Sequence, residues 1–181
     1  MFLLEYIKNP RKVGAVAPSS RYLASKMLGE IDFENARCIV EYGPGTGAFT
    51  EQLLARASEN TKIILIEVNE DFYRRLNKLY GHKKNVAVLN ESAENIDEIL
   101  VRYNITNVDY IISGLPFASL PREVSDKILT KTAEILDKSG QFITFQYSLA
   151  KKRLFDEFFG SINTDKTYRN IPPAYVLRCK K

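Results

Sequence analysis

Apolar and polar positions along the chain fall into two alternating rhythms. Short, β-branched apolar runs recur at Cys38-Ile39-Val40, Ile63-Ile64-Leu65-Ile66, Val86-Ala87-Val88-Leu89, Val108 to Ile112 and Phe142 to Tyr147. Runs of this length with no polar alternate read as strands covered on both faces, as in a parallel sheet. Amphipathic stretches separate them: about Ala48 to Ala57, Glu70 to Tyr80, Ala93 to Tyr103, Arg122 to Leu136 and Leu149 to Phe159. The alternation predicts right-handed crossovers with helices on both faces of the sheet.

The two ends depart from this rhythm. Ser19 or Ser20 can cap a helix running to about Leu28, with Gly29 ending it, so residues 1–29 read as a helical segment ahead of the sheet. At the other end, Ser161 to Arg169 is polar and β-capable, and Ala174 to Cys179 is a further apolar run. The segment Asn170 to Pro173 between them is too short for a crossover helix, so this pair is expected to be antiparallel. The expectation is an α/β, Rossmann-like chain: one domain over residues 1–181, doubly wound and mostly parallel, with a C-terminal antiparallel hairpin.

Composition narrows the picture only a little. At 181 residues, 45% hydrophobic and 27% charged, the chain suits one folded domain. The net charge of +4, from 26 Lys and Arg against 22 Asp and Glu, permits an anionic partner without demanding one. Two cysteines, Cys38 and Cys179, make no disulfide framework and point to a reducing cytoplasmic compartment. His82 is the single histidine and no metal-ligand spacing is visible, so no metal is expected. No apolar run reaches the ~20 residues needed to span a bilayer. The opening Met1 to Lys8 is too short for a signal peptide, with its charges at the wrong end.

The chemistry concentrates at strand ends. Glu41-Tyr42-Gly43-Pro44-Gly45-Thr46-Gly47 follows the first strand and opens a helix at about Ala48. Glycines there permit a tight turn and a close approach to a ligand, and helix amides face that ligand. The loop alone also tolerates a dinucleotide. Glu67 ends the second strand, where a carboxylate can take ribose hydroxyls of either cofactor. The G-x-G-x-G spacing favours S-adenosylmethionine, as does Glu41, whose charge suits an ammonium and opposes a pyrophosphate. The fourth strand ends in Ser113-Gly114-Leu115-Pro116-Phe117. Here the carbonyls of Ser113 and Gly114 can aim at an amine, and the Phe117 ring can pack on a cation or a flat base. This loop is expected to be the catalytic one.

Ile7 to Ser20, Glu41 to Thr50, Ser113 to Phe117 with Leu120-Pro121, Gln146-Tyr147 and Asn170 to Ala174 resemble the bacterial phospholipid N-methyltransferases. That family is related to the ribosomal RNA adenine dimethylases. The resemblance implies a seven-stranded class I methyltransferase fold. It implies that Gly43, Gly45 and Gly47, with Tyr42 and Pro44 between and before them, line the methionine end of the cofactor. Glu67 and Val68 would then lie at the ribose, and Glu91, Ser92 and Ala93 near the adenine. Asn90-Glu91-Ser92-Ala93 lacks the Asp usual in that place, so the adenine reader stays open.

The amino terminus supports two readings. Phe2, Leu3, Leu4, Tyr6 and Ile7, followed by Lys8, Arg11 and Lys12, suit a lipid headgroup layer. They equally suit a helix packed over the cleft. Arg11, Ser19 and Ser20 are candidates for a substrate phosphate. Tyr22 and Tyr147 are candidates for contacting the amine. The leading expectation is N-methylation of a phosphatidylethanolamine-type headgroup by a protein peripheral to the inner membrane face. The alternatives are an RNA adenine N6-methyltransferase, with the base on Phe117, and a dinucleotide oxidoreductase or cofactor-binding regulatory module.

Overall fold

The computed structural model describes residues 21–181. Its strands are β1 (Cys38–Tyr42), β2 (Lys62–Ile66), β3 (Val86–Leu89), β4 (Val108–Ser113), β5 (Leu136–Gln146), β6 (Ser161–Thr167) and β7 (Ala174–Lys180). Its α-helices are α1 (Arg21–Leu28), α2 (Ala48–Arg56), α3 (Glu70–Tyr80), α4 (Ile96–Arg102), α5 (Arg122–Ile135) and α6 (Lys152–Asp156). The sheet runs β3-β2-β1-β4-β5-β7-β6. The first five strands are parallel, and β7 is antiparallel to both β5 and β6. The strand order reverses between β1 and β4, which places a crevice at their carboxyl ends.

Period-2 alternation divides the core into two layers. Val40, Tyr42, Ile64, Ile66, Ile111 and Phe142 face one side, with α4, α5 and α6. Ile39, Ile63, Leu65, Ile112 and Ile143 face the other, with α1 and α2. Both faces are covered, which is why the strands read as unbroken apolar runs. Asp109 joins β4 to the start of β1, its Oδ2 accepting from the amides of Arg37 (2.8 Å) and Cys38 (2.9 Å).

The antiparallel hairpin forms as the short Asn170–Pro173 link requires, with Thr167 opposite Ala174 at its closed end. Arg178 of β7 is 4% exposed. Its guanidinium donates to Asp165 Oδ2 at 2.7 Å and to the Lys26 carbonyl at 2.8 Å, fastening α1 to the hairpin.

The elements depart from the sequence expectation in three places. β5 begins at Leu136 and runs eleven residues, because an irregularity between Val108 and Tyr110 of β4 absorbs the segment before Gly140. The expected helix from Ala93 opens with a 3-10 turn capped by Ser92. The stretch from Leu149 shortens to a 3-10 turn and the five residues of α6. The expectations placed on residues 1–20, Arg11, Ser19 and Ser20 among them, lie outside the described residues. Among the described residues no helix is long and apolar enough to cross a membrane.

Candidate active site

The glycine loop turns in the left-handed region three times, at Gly43 (φ 61°), Gly45 (φ 56°) and Gly47 (φ 87°). Side chains rarely adopt these angles, so the sequence there answers to backbone geometry. Gly47 caps α2 and donates to the Pro44 carbonyl at 2.9 Å. Gly43 donates to Ile66 O, and Gly114 donates to Tyr42 O, both at 2.9 Å. The loop after β1 is therefore stitched to β2 on one side and to the loop after β4 on the other. A Cβ on Gly114 would stand 2.7 Å from the Gly43 carbonyl oxygen. The two loops touch backbone to backbone.

Glu41 is fully buried. Its Oε2 accepts from the Thr50 hydroxyl at 2.8 Å, while its Oε1 has no hydrogen-bond partner. Burial pushes this carboxyl up to about 8; the Thr50 bond opposes the rise and the nearby Glu67 charge adds to it. A carboxyl kept from water with one oxygen unpaired has its charged form disfavoured until a donor or a cation meets it.

Glu67 is 3% exposed and holds the turn between β2 and α3. Its Oε2 accepts from the Gly45 amide and its Oε1 from the Asn69 amide, both at 2.8 Å. Burial raises its pKa and those amide bonds oppose the rise. The Val68 amide bonds the same carboxylate, which leaves about one of its four lone-pair positions for a further donor. Asn90, not singled out by the sequence, donates from Nδ2 to the Glu67 carbonyl at 2.8 Å and ties the ends of β2 and β3 together.

The other expected residues separate into two groups. Val68, Ala93 and Leu115 are buried in the core. Tyr42 is fully buried too, its hydroxyl 3.2 Å from Thr132 Oγ1 under α5, so its backbone alone reaches the loop. Glu91 is paired with Arg102 at 2.5 Å. The Ser92 hydroxyl accepts from the Glu94 amide at 3.2 Å as a helix cap. In the loop after β4, Ser113 Oγ accepts from the Leu115 amide at 3.2 Å, and the Ser113 carbonyl accepts from Thr144 Oγ1 at 3.3 Å.

Phe117 corrects the sequence expectation. Its ring is 0% exposed, edge-on to Phe142 at 6.0 Å and to Phe155 at 5.4 Å. Pro116 turns the chain so that this aromatic enters the core instead of facing the crevice. Tyr147 lies at the rim, 37% exposed, edge-on to Phe145 and sharing a hydrogen bond with Asn170. Tyr22 is 56% exposed, with the Arg169 guanidinium 5.3 Å from its ring centre. The residues that the structure brings together are Glu41, Thr50, Gly43, Gly45, Glu67, Ser113 and Gly114. Thr50, inside α2, and Asn69, Asn90 and Thr144, near strand ends, were legible only as polar residues.

A sequence model of the ribosomal RNA adenine dimethylases matches residues 19–161. The chain belongs to that family. It is a methyltransferase of the S-adenosylmethionine-dependent class. An ornithine lipid N-methyltransferase of Singulisphaera acidiphila is 30% identical over 99% of this chain and 94% of its own length. A ribosomal RNA small subunit methyltransferase A of Ureaplasma parvum is 26% identical over 97% of this chain, which spans 63% of that relative's length. The crystal structure of a precorrin-6y C5,15-methyltransferase from Geobacter metallireducens superposes with a TM-score of 0.66 at 14% identity, covering 88% of each chain, and shows the shared fold. Among the described residues of this dimethylase-family chain, no group of three His, Cys, Asp or Glu could hold a metal ion.

Proposed function

We propose that this methyltransferase transfers methyl groups to the amine of a phosphatidylethanolamine-type lipid headgroup. The observation that carries a lipid amine over a nucleobase is the position of Phe117. Its ring is committed to the core with Phe142 and Phe155, leaving the Ser113–Phe117 loop without an aromatic face for a flat base. A relative that matches along nearly its whole length acts, by name, on a lipid amine, which supports the same reading.

The residues present fit S-adenosylmethionine. The unpaired, buried Glu41 Oε1 suits the ammonium of its methionine end, and the Gly43, Gly45 and Gly47 turn leaves room for close approach. Glu67 would take a ribose hydroxyl on its remaining lone pair, and Glu91 and Ser92 would flank the adenine end. The bound cofactor supplies a sulfonium-borne methyl group, open to attack by a neutral amine. This chain's own part is placement: holding donor and acceptor in line contributes ~7–11 kcal/mol to such displacements. The carbonyls of the loop after β4 would take the amine N–H, and Tyr147 would border the acceptor at the rim.

A second reading, N6-methylation of adenine in RNA, is favoured by the family match itself. The test gives the full chain labelled cofactor with mixed bacterial lipids and, separately, with ribosomal RNA. Label in an amine-bearing lipid is expected. Label in RNA with none in any lipid sinks the proposal.

A further inference from the structure

We propose that the β6–β7 connection, together with the rim of β5, is the surface by which this protein seats on an anionic lipid bilayer. The proposal rests on the lipid-acceptor reading and adds the place and manner of docking. Large hydrophobic side chains exposed singly are ordinary, but a gathering of them marks a contact surface. Among the described residues, exposed Leu79 and Val101 lie on separate helices. Tyr147 (37%) and Leu149 (37%) follow β5, Tyr168 (72%) and Ile171 (86%) sit on the hairpin turn, and Tyr22 (56%) meets that turn through Arg169.

The turn is built, not loose. Asn170 is buried and donates from Nδ2 to the Pro172 carbonyl at 2.7 Å, and it also bonds the Tyr147 hydroxyl. Lys166 Nζ lies 4.8 Å from the Tyr168 ring centre. The turn thus folds inward on Asn170 and presents Tyr168 and Ile171 outward on a firm base.

Charge completes the case. Residues 146–153 and 166–175 contain no Asp or Glu; Lys152 there is held by Asp156 at 2.7 Å, which leaves Lys151, Arg153, Lys166 and Arg169 as the basic side chains of the patch. Apolar and aromatic tips ringed by basic side chains suit the boundary between anionic headgroups and acyl chains. The patch also lies where such docking is useful. Gln146 pairs with Tyr175, and two residues back along β5 Thr144 pairs with Ser113. Seating the patch on a bilayer turns the acceptor side of the crevice towards the headgroups.

The chain has no tryptophan, so Tyr168→Trp installs a single indole reporter. With vesicles of phosphatidylcholine and phosphatidylglycerol its emission is expected to shift to the blue and to return on adding salt. Vesicles of phosphatidylcholine alone should shift it much less. The Arg169→Glu, Ile171→Asp double variant should partition at least tenfold more weakly while keeping its melting temperature and its affinity for S-adenosylhomocysteine. A protein that sediments with vesicles while the indole stays in water docks elsewhere, which overturns the proposal. So does absence of vesicle binding, or an indole response to RNA or to self-association in place of vesicles. Methylation of detergent-dispersed lipid reads the lipid activity without a bilayer. If it is absent, the function fails; if it persists while the indole is silent, only the docking surface fails.

Discussion

Replacing Glu41 by Gln removes one ionisation and almost no volume, so its consequences can be worked from the buried site. In the ligand-free protein the carboxyl titrates at about 8, against an ordinary 4.5, because burial penalises its charge. A group whose folded value lies above its unfolded value stabilises most at low pH, and that stability drains away as pH climbs through the interval between them. At about 1.36 kcal/mol per pH unit, the rise corresponds to roughly 5 kcal/mol over the full interval, and to about 2 kcal/mol between pH 6 and pH 8. For a domain of this size that is a fall of roughly 4–8 °C in melting temperature. Glu41→Gln should lack this component. Glu67 shifts in the same direction but is present in both proteins, so the difference between the two curves isolates Glu41. The assay is thermal unfolding of both proteins from pH 6 to pH 8, with and without S-adenosylhomocysteine. Without ligand, the variant should hold its melting temperature where the parent loses it. With ligand the proposed ammonium–Glu41 contact predicts the reverse order, since the ammonium would favour ionised Glu41 and would find no charge in the variant. Parallel pH curves for the two ligand-free proteins would refute the reasoning.

Three further outcomes follow from the same geometry. Gly114→Ala places a methyl 2.7 Å from the Gly43 carbonyl oxygen; it should cost about 1–3 kcal/mol in unfolding and lower S-adenosylhomocysteine affinity by calorimetry. Phe117→Ala should lose about 3–5 kcal/mol of stability by denaturant melting, whereas Phe117→Leu should retain most of both stability and activity; selective loss of activity in a stable Phe117→Leu would restore the ring to the crevice. Asp109→Ala leaves the Arg37 and Cys38 amides without their acceptor and should cost about 1–3 kcal/mol in denaturant melting, with cofactor affinity unchanged in the folded fraction.

Elements covered on both faces were legible because burial writes itself as unbroken apolar runs. The glycine loop was legible because positive φ selects glycine. The closing hairpin was legible from the length of Asn170 to Pro173. Phe117 was not, because a residue after a proline turn belongs to no period, and only the neighbouring Phe142 and Phe155 decide which way it faces. Glu67 was recognised as a strand-end carboxylate, but its hold on the Gly45 amide joins two loops 22 residues apart in sequence. Ser92 looked available to a ligand, yet its hydroxyl is claimed by the helix turn that it starts.

The contact between Gly43 and Gly114 constrains how this protein can be retargeted. The loop after β1 and the loop after β4 meet main chain to main chain, with the Leu115 side chain packed against Gly43, so a side chain added at Gly43 or Gly114 would displace both loops. Substitutions farther out, at Tyr147 and the hairpin turn, leave that junction standing. The glycine loop can then stay fixed while the surface around it varies.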